Sequence, residues 1–130
     1  MSIDVIGNFL TIIRNGIMAS KSFVVIPSSK MKFEIGLVLK KEGFIRDCQV
    51  LEEQGKQVIK IVLKYAGGES VIHEITRVSS PARRFYAGTH EIKPVIGNLG
   101  VAILTTNRGI LTHKQAREFG VGGEVICTVW

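Results

Sequence analysis

Cysteine, proline and tryptophan are scarce in this chain of 130 residues, which holds 2, 3 and 1 of them, and it has no uninterrupted run of 18 apolar residues. Without such a run there is no helical membrane span to place. Cys48 and Cys127 are too few and too far apart for a disulfide scaffold or a CxxC site, so they read as reduced core thiols. The sequence also lacks HExxH, a Cys/His set at metal spacing, GxxxxGK[ST] and GxGxxG. Gly67-Gly68 and Gly122-Gly123 are too short to cradle a phosphate. His73, His90 and His113 stand in no nucleophile or base motif and read as surface or satisfied structural residues. Nothing here supports an enzyme, and no cofactor, metal or small-molecule substrate is expected. The length itself excludes solenoids, propellers and barrel enzymes.

What is present is a foldable chain with a basic surplus. Apolar residues make up 45% and charged residues 22%, the composition of a globular protein and not of a disordered one. Lys and Arg outnumber Asp and Glu by 17 to 11, and a net charge of +6 favours polyanionic partners. Residues 1–66 carry ten basic and six acidic side chains and residues 67–130 carry seven and five, so the charge is spread along the chain and not held in a tail. Met1 to Asn8 lacks the basic segment of a signal peptide, which predicts a soluble, intracellular protein.

Periodicity predicts an α+β fold of two small subdomains. Ile3, Ile6, Leu10, Ile13 and Ile17 recur at helical spacing, and Asn15-Gly16 offers an end, giving a helix over 4–16. Ser22 to Ile26 is a β-branched run stopped by Pro27, after which Ser28-Ser29 caps a second helix over 29–42, closed by Gly43 with Phe44 packing back. Residues 44–51 and 57–65 form a hairpin through Glu53-Gln54-Gly55-Lys56, with Ile59, Ile61, Leu63 and Tyr65 on one face. The boundary falls at Ala66-Gly67-Gly68-Glu69, so the subdomains are 1–66, a two-layer α/β unit, and 67–130, a mostly β unit. In the latter, strands are predicted over 71–78, 85–86, 101–105, 110–111 and 124–130. Thr112-His113-Lys114-Gln115 has the form of a capping box, and Ala116 and Phe119 supply the buried side of a short helix ended by Gly120.

Three stretches of the second half carry binding chemistry. Ser79-Ser80-Pro81-Ala82-Arg83-Arg84-Phe85-Tyr86 interleaves guanidinium groups with aromatics, a combination suited to phosphates and unpaired bases. Thr105-Thr106-Asn107-Arg108-Gly109 is a turn of small polar groups able to meet base edges and 2′-hydroxyls in the shallow minor groove of RNA. In Gly120-Val121-Gly122-Gly123-Glu124 the glycines allow close backbone approach, and Glu124 faces a polyanion usefully only as an acceptor for amino or ribose hydroxyl donors. In the first half Arg14, Lys21, Lys30, Lys32, Lys40 and Lys41 are basic, and Ser28-Ser29-Lys30 opens a helix where a phosphate fits. Taken singly, the turn and the glycine pair also read as ordinary turn and cap chemistry.

The order of these pieces resembles the bacterial-type family of small-subunit ribosomal protein eight. The likeness runs through Leu10 to Asn15, Ile26 to Lys30, Lys41 to Ile45, Arg77 to Tyr86, Gly97 to Thr112 and Ala116 to Cys127. It implies a structural constituent of the small ribosomal subunit that binds a helix in the central domain of its RNA and helps assemble the platform. It further implies ribosomal proteins five and twelve as neighbours, repression of its own messenger in some members, and a place in cytoplasmic or plastid ribosomes. The family's hydroxyl-rich turn falls here on Thr105, Thr106 and Asn107, its Gly-Gly-Glu on Gly122, Gly123 and Glu124, and its aromatic on Tyr86. Arg84, Arg14, Ser28, Ser29 and Lys30 complete the implied RNA contacts. Two departures stand out: Thr-Thr-Asn replaces the usual Ser-Thr-Ser, and Ala82 stands where glycine is frequent, which predicts a loop without a left-handed residue there. The rival reading, from another class, is a protein-interaction module whose charge serves solubility alone.

Overall fold

The computed structural model describes residues 4–88 and 100–130, and the expectations for His90 and for Gly97 to Leu99 lie outside the described residues. In chain order the elements are α1 (Val5–Met18), β1 (Phe23–Pro27), α2 (Lys30–Lys41), β2 (Ile45–Glu53), β3 (Lys56–Leu63), β4 (Tyr65–Ala66) and β5 (Glu69–Ser70). There follow β6 (Ile75–Arg77), β7 (Tyr86–Ala87), β8 (Val101–Thr106), β9 (Gly109–Thr112), α3 (His113–Phe119) and β10 (Gly123–Val129). The fold is α+β, as the sequence predicts. One unit is Asn8–Ile72; the other joins the described residues up to Gly7 to His73–Trp130. Gly67 and Gly68, both left-handed, make the turn between β4 and β5 inside the first unit.

In the first unit β1, β3 and β2 form an antiparallel sheet in that order. Ile59, Ile61 and Leu63 are buried on one face of β3, in the predicted alternation. Burying each such side chain contributes about 1.5 to 3 kcal/mol. The hairpin turns on Gln54 and Gly55, with φ of 53° and 78°, the two left-handed residues that a type I′ turn requires. Ser29 caps α2 by accepting the Lys32 N–H at 3.2 Å, and left-handed Gly43 ends it with Phe44 buried behind. Lys32 is buried, and its ammonium donates to the Pro27 carbonyl at 3.0 Å.

The first helix departs from its predicted end. It continues past Gly16, which is buried where a Cβ would run into Val24; the glycine serves packing between α1 and β1 and not termination. The helix stops where Ser20 adopts a φ of 54°. The Ser20 N–H then bonds the Ile17 carbonyl and the Lys21 N–H the Gly16 carbonyl, a Schellman arrangement with serine in the position glycine usually fills.

The second unit is built around β10. One edge of β10 pairs with β6 and then β7, the other pairs with β8, and β9 lies beyond β8. The register shifts between Val125 and Cys127, a bulge that changes which residues face inward. The strand predicted over 71–78 is shorter. Val71 turns its N–H back to the Lys64 carbonyl, and His73 and Glu74 both donate to the Trp130 carbonyl, so the strand is confined to Ile75–Arg77, with the Val78 N–H still reaching the Ile126 carbonyl of β10. Asp4 accepts the Gly7 N–H at 2.9 Å and is held through both oxygens by Arg77, at 3.2 Å from Nε and 3.0 Å from Nη2.

The capping box forms as read: Thr112 accepts the Gln115 N–H at 3.2 Å and Gln115 accepts the Thr112 N–H at 3.1 Å. Ala116 packs against Ala102 and Leu104, with Ala87, Val121 and Val125 around them. Phe119, assigned by the sequence to the same buried side, is instead 49% exposed, since α3 ends at once in left-handed Gly120. His113 is a satisfied core residue whose Nδ1 accepts the Ala102 N–H at 3.1 Å. His73 lies on the Trp130 ring with centroids 5.5 Å apart. Cys48 and Cys127 are buried free thiols; burial pushes the first up to about 11 and the second up to about 12. Among the described residues no helix is long and apolar enough to cross a membrane.

Candidate nucleic-acid interface

Strand pairing brings most of the candidate residues onto one end of the second sheet. Glu124 pairs directly with Tyr86 on one side and with Thr105 on the other, and directly paired residues share a face. Tyr86, Glu124 and Thr105 therefore form a row across β7, β10 and β8. Their neighbours Leu104 and Val125 point the opposite way, into the cluster beneath α3. Along Val101 to Leu104 the strand β8 is buried on both faces, and it opens only at Thr105 and Thr106. That transition from core to surface sets the site. Tyr86, 71% exposed, is the largest apolar area in the row.

Arg84 resolves the difficulty of a carboxylate on a basic binding face. Its Nη1 lies 3.0 Å from Glu124 Oε2, and the Glu124 side chain is only 12% exposed. The hydrogen bond that Arg84 donates to Glu124 raises the guanidinium pKa further, and the group stays fully charged. The pair is locally neutral, so a polyanion meets no net repulsion there. A carboxylate accepts through two oxygens, which leaves Oε1 able to take donors from a ligand. Beside it Phe85 is 43% exposed and carries the Arg83 guanidinium 5.4 Å from its ring centre. Ser79 fixes the loop by accepting the Phe85 N–H at 2.7 Å, and Ser80 and Arg83 exchange backbone hydrogen bonds across Pro81 and Ala82. Ala82 is not left-handed, as expected of a residue replacing glycine.

The polar turn is ordered by its own threonine. Thr106 Oγ1 donates to the Gly109 carbonyl at 2.9 Å and accepts the Arg108 N–H at 3.1 Å, while Gly109 takes a φ of 102° that favours glycine. Asn107 and Arg108 stand exposed at the tip. Arg108 lays its guanidinium 4.8 Å from the ring centre of Phe119, an association the sequence did not disclose because it joins a turn to the far end of a helix. Gly122 and Gly123 have an internal reason to lack side chains. A Cβ on Gly122 would strike the Ala87 carbonyl, and one on Gly123 would strike that of Thr105.

The remaining candidates belong to the first unit. Arg14 is exposed on α1, Ser28 donates its N–H to the Gln57 carbonyl, Ser29 is engaged as the α2 cap, and Lys30 is exposed in the first turn. Among the described residues no three His, Cys, Asp or Glu side chains gather as metal ligands.

Residues 4–130 match the family described as ribosomal protein S8. The chain is 48% identical over 131 residues to the small ribosomal subunit protein uS8 of Thermodesulfovibrio yellowstonii, covering all of both chains. It is 50% identical to that of Thermosipho africanus, covering 98% of each chain, and 51% identical to that of Geobacter metallireducens, covering 98% of this chain and 97% of the relative. A match of this extent is not confined to one motif, and the chain belongs to the ribosomal protein S8 family, a family of structural ribosomal proteins and not of enzymes.

Proposed function

We propose that the protein is a constituent of the small ribosomal subunit and holds that subunit's RNA on the open end of its second sheet. The observation that carries this reading is the row Tyr86, Glu124, Thr105, with the Thr106–Asn107 turn beside it. Phosphate contacts from Arg84, Arg108 and the exposed bases of the first unit, Arg14 and Lys30 among them, set orientation. Ser28 and Ser29, at the start of α2, add contacts to the RNA backbone. The row and turn supply discrimination by hydrogen bonding and by shape, the manner in which an RNA minor groove is read. Gly122 and Gly123 let β10 run close against β7 and β8, which holds the row together.

The family resemblance supports the finer assignments: a helix of the central domain as the RNA, a part in platform assembly, ribosomal proteins five and twelve as neighbours, repression of its own messenger, and a cytoplasmic ribosome as the location. The test is affinity for a central-domain hairpin and for a scrambled hairpin of equal length and charge. Glu124→Gln, which keeps the shape and removes the acceptor charge, should lower affinity for the first alone, by about 5- to 150-fold if a buried hydrogen bond worth about 1 to 3 kcal/mol is lost. Equal losses on both hairpins would contradict the readout role.

A further inference from the structure

Phe119 is the apolar side chain that periodicity places in the core and the fold leaves half exposed. It stands in the last turn of α3, and one face of its ring is covered by the guanidinium of Arg108. Arg108 is itself the tip of the turn whose backbone N–H is held by Thr106 Oγ1. The turn and the helix end are thus tied together through a cation–π contact, which is strongest when the ring is kept rigid and partly dry. No carboxylate of the described residues forms a salt bridge with Arg108, so its donors remain available at the rim of the ring. Lys114, Arg117 and Glu118 are exposed on the same helix, two cations to one anion. An exposed ring backed by a guanidinium is the combination that takes the π-face of a base together with its phosphate.

We infer that Phe119 and Arg108 form a stacking site for one unpaired RNA base, the ring taking the base and the guanidinium edge taking the adjoining phosphate. This rests on the reading of the second unit as an RNA-binding surface and extends that surface around the tip of the turn to the end of α3. Stacking is indifferent to base identity, so the site selects for an unpaired nucleotide and not for a particular one.

The experiment uses the full chain and two hairpins that differ by a single extrahelical 2-aminopurine nucleotide, with the variants Phe119→Ala, Phe119→Trp and Thr106→Val. The wild-type protein should prefer the hairpin with the unpaired nucleotide by about 5- to 100-fold and quench its fluorescence on binding. Phe119→Ala should abolish the preference and the quenching while leaving affinity for the fully paired hairpin unchanged, and Phe119→Trp should retain both. Thr106→Val should weaken both hairpins. If Phe119→Ala keeps the preference, or loses both hairpins equally, while Thr106→Val still impairs binding, the stacking site is overturned and the RNA-binding reading stands. If Thr106→Val changes neither hairpin and the wild-type protein shows no preference, both fall together.

Discussion

The hydroxyl of Thr106 has little hydrogen-bonding capacity left for a ligand, and this makes its contribution predictable. A threonine hydroxyl offers one donor and two acceptor positions. The donor goes to the Gly109 carbonyl at 2.9 Å and one acceptor position to the Arg108 N–H at 3.1 Å. Only an acceptor remains, so Thr106 can serve RNA only by receiving a proton, from a 2′-hydroxyl or a base amino group. Thr106→Val keeps the shape and removes all three bonds. The two internal bonds are at the surface and should cost about 1 kcal/mol of folding stability together, at the low end of the usual range. Loss of the intermolecular bond should cost about 1 to 3 kcal/mol, or 5- to 150-fold in affinity for the cognate hairpin. Thr106→Ser keeps every bond and should bind like the wild type. Substituting single 2′-hydroxyls by hydrogen in the RNA should then reveal one position whose loss matters to the wild type and not to the valine variant. Unchanged affinity of the valine variant, or equal losses for serine and valine, would refute the reasoning.

Three further outcomes follow from the packing. His113→Ala leaves the buried Ala102 N–H without its acceptor and opens a cavity, so denaturant unfolding should show a loss of about 2 to 4 kcal/mol with RNA affinity of the folded protein unchanged. Gly36→Ala puts a methyl carbon 2.5 Å from Cys48 Sγ and should cost about 1 to 3 kcal/mol in urea unfolding, with part of the cost recovered in a Cys48→Ala background. Burial alone would raise the Asp4 pKa, but the Arg77 hydrogen bond, the Gly7 N–H and the Arg77 charge together hold it below its ordinary 3.8. Its contribution to stability is therefore complete above that value and is lost as pH falls through the lower folded-state value. In acid titrations of stability below about pH 4, Asp4→Asn should remove this component, about 1 kcal/mol or less.

What the sequence disclosed was chemistry decided within a few residues. The Ser29 cap, the Gly43 stop, the Gln54-Gly55 turn and the Thr112–Gln115 box are all local hydrogen-bond or φ requirements, and each appears where residue type demands it. The end of α1 was hidden because a serine fills the left-handed position. Phe119 was misplaced because helical periodicity does not say where a seven-residue helix stops covering the sheet. The candidate residues were legible as motifs, but their assembly was not. Arg84 and Glu124 are 40 residues apart, and only the register of β10 between β7 and β8 makes Tyr86, Glu124 and Thr105 one row. In the sequence the glycine pair suggests clearance for a partner, whereas the carbonyls of Ala87 and Thr105 already demand it inside the sheet.

Specific recognition of small-subunit ribosomal RNA can be read from a salt titration of binding to the central-domain hairpin and to its scrambled counterpart. Binding to the first should be tighter by about a thousandfold, with a log-log salt slope of roughly −4 to −7 for about five to eight neutralised phosphates. Weak binding to both, equal in affinity and equally steep in salt, would reduce the protein to a basic surface and contradict the claim.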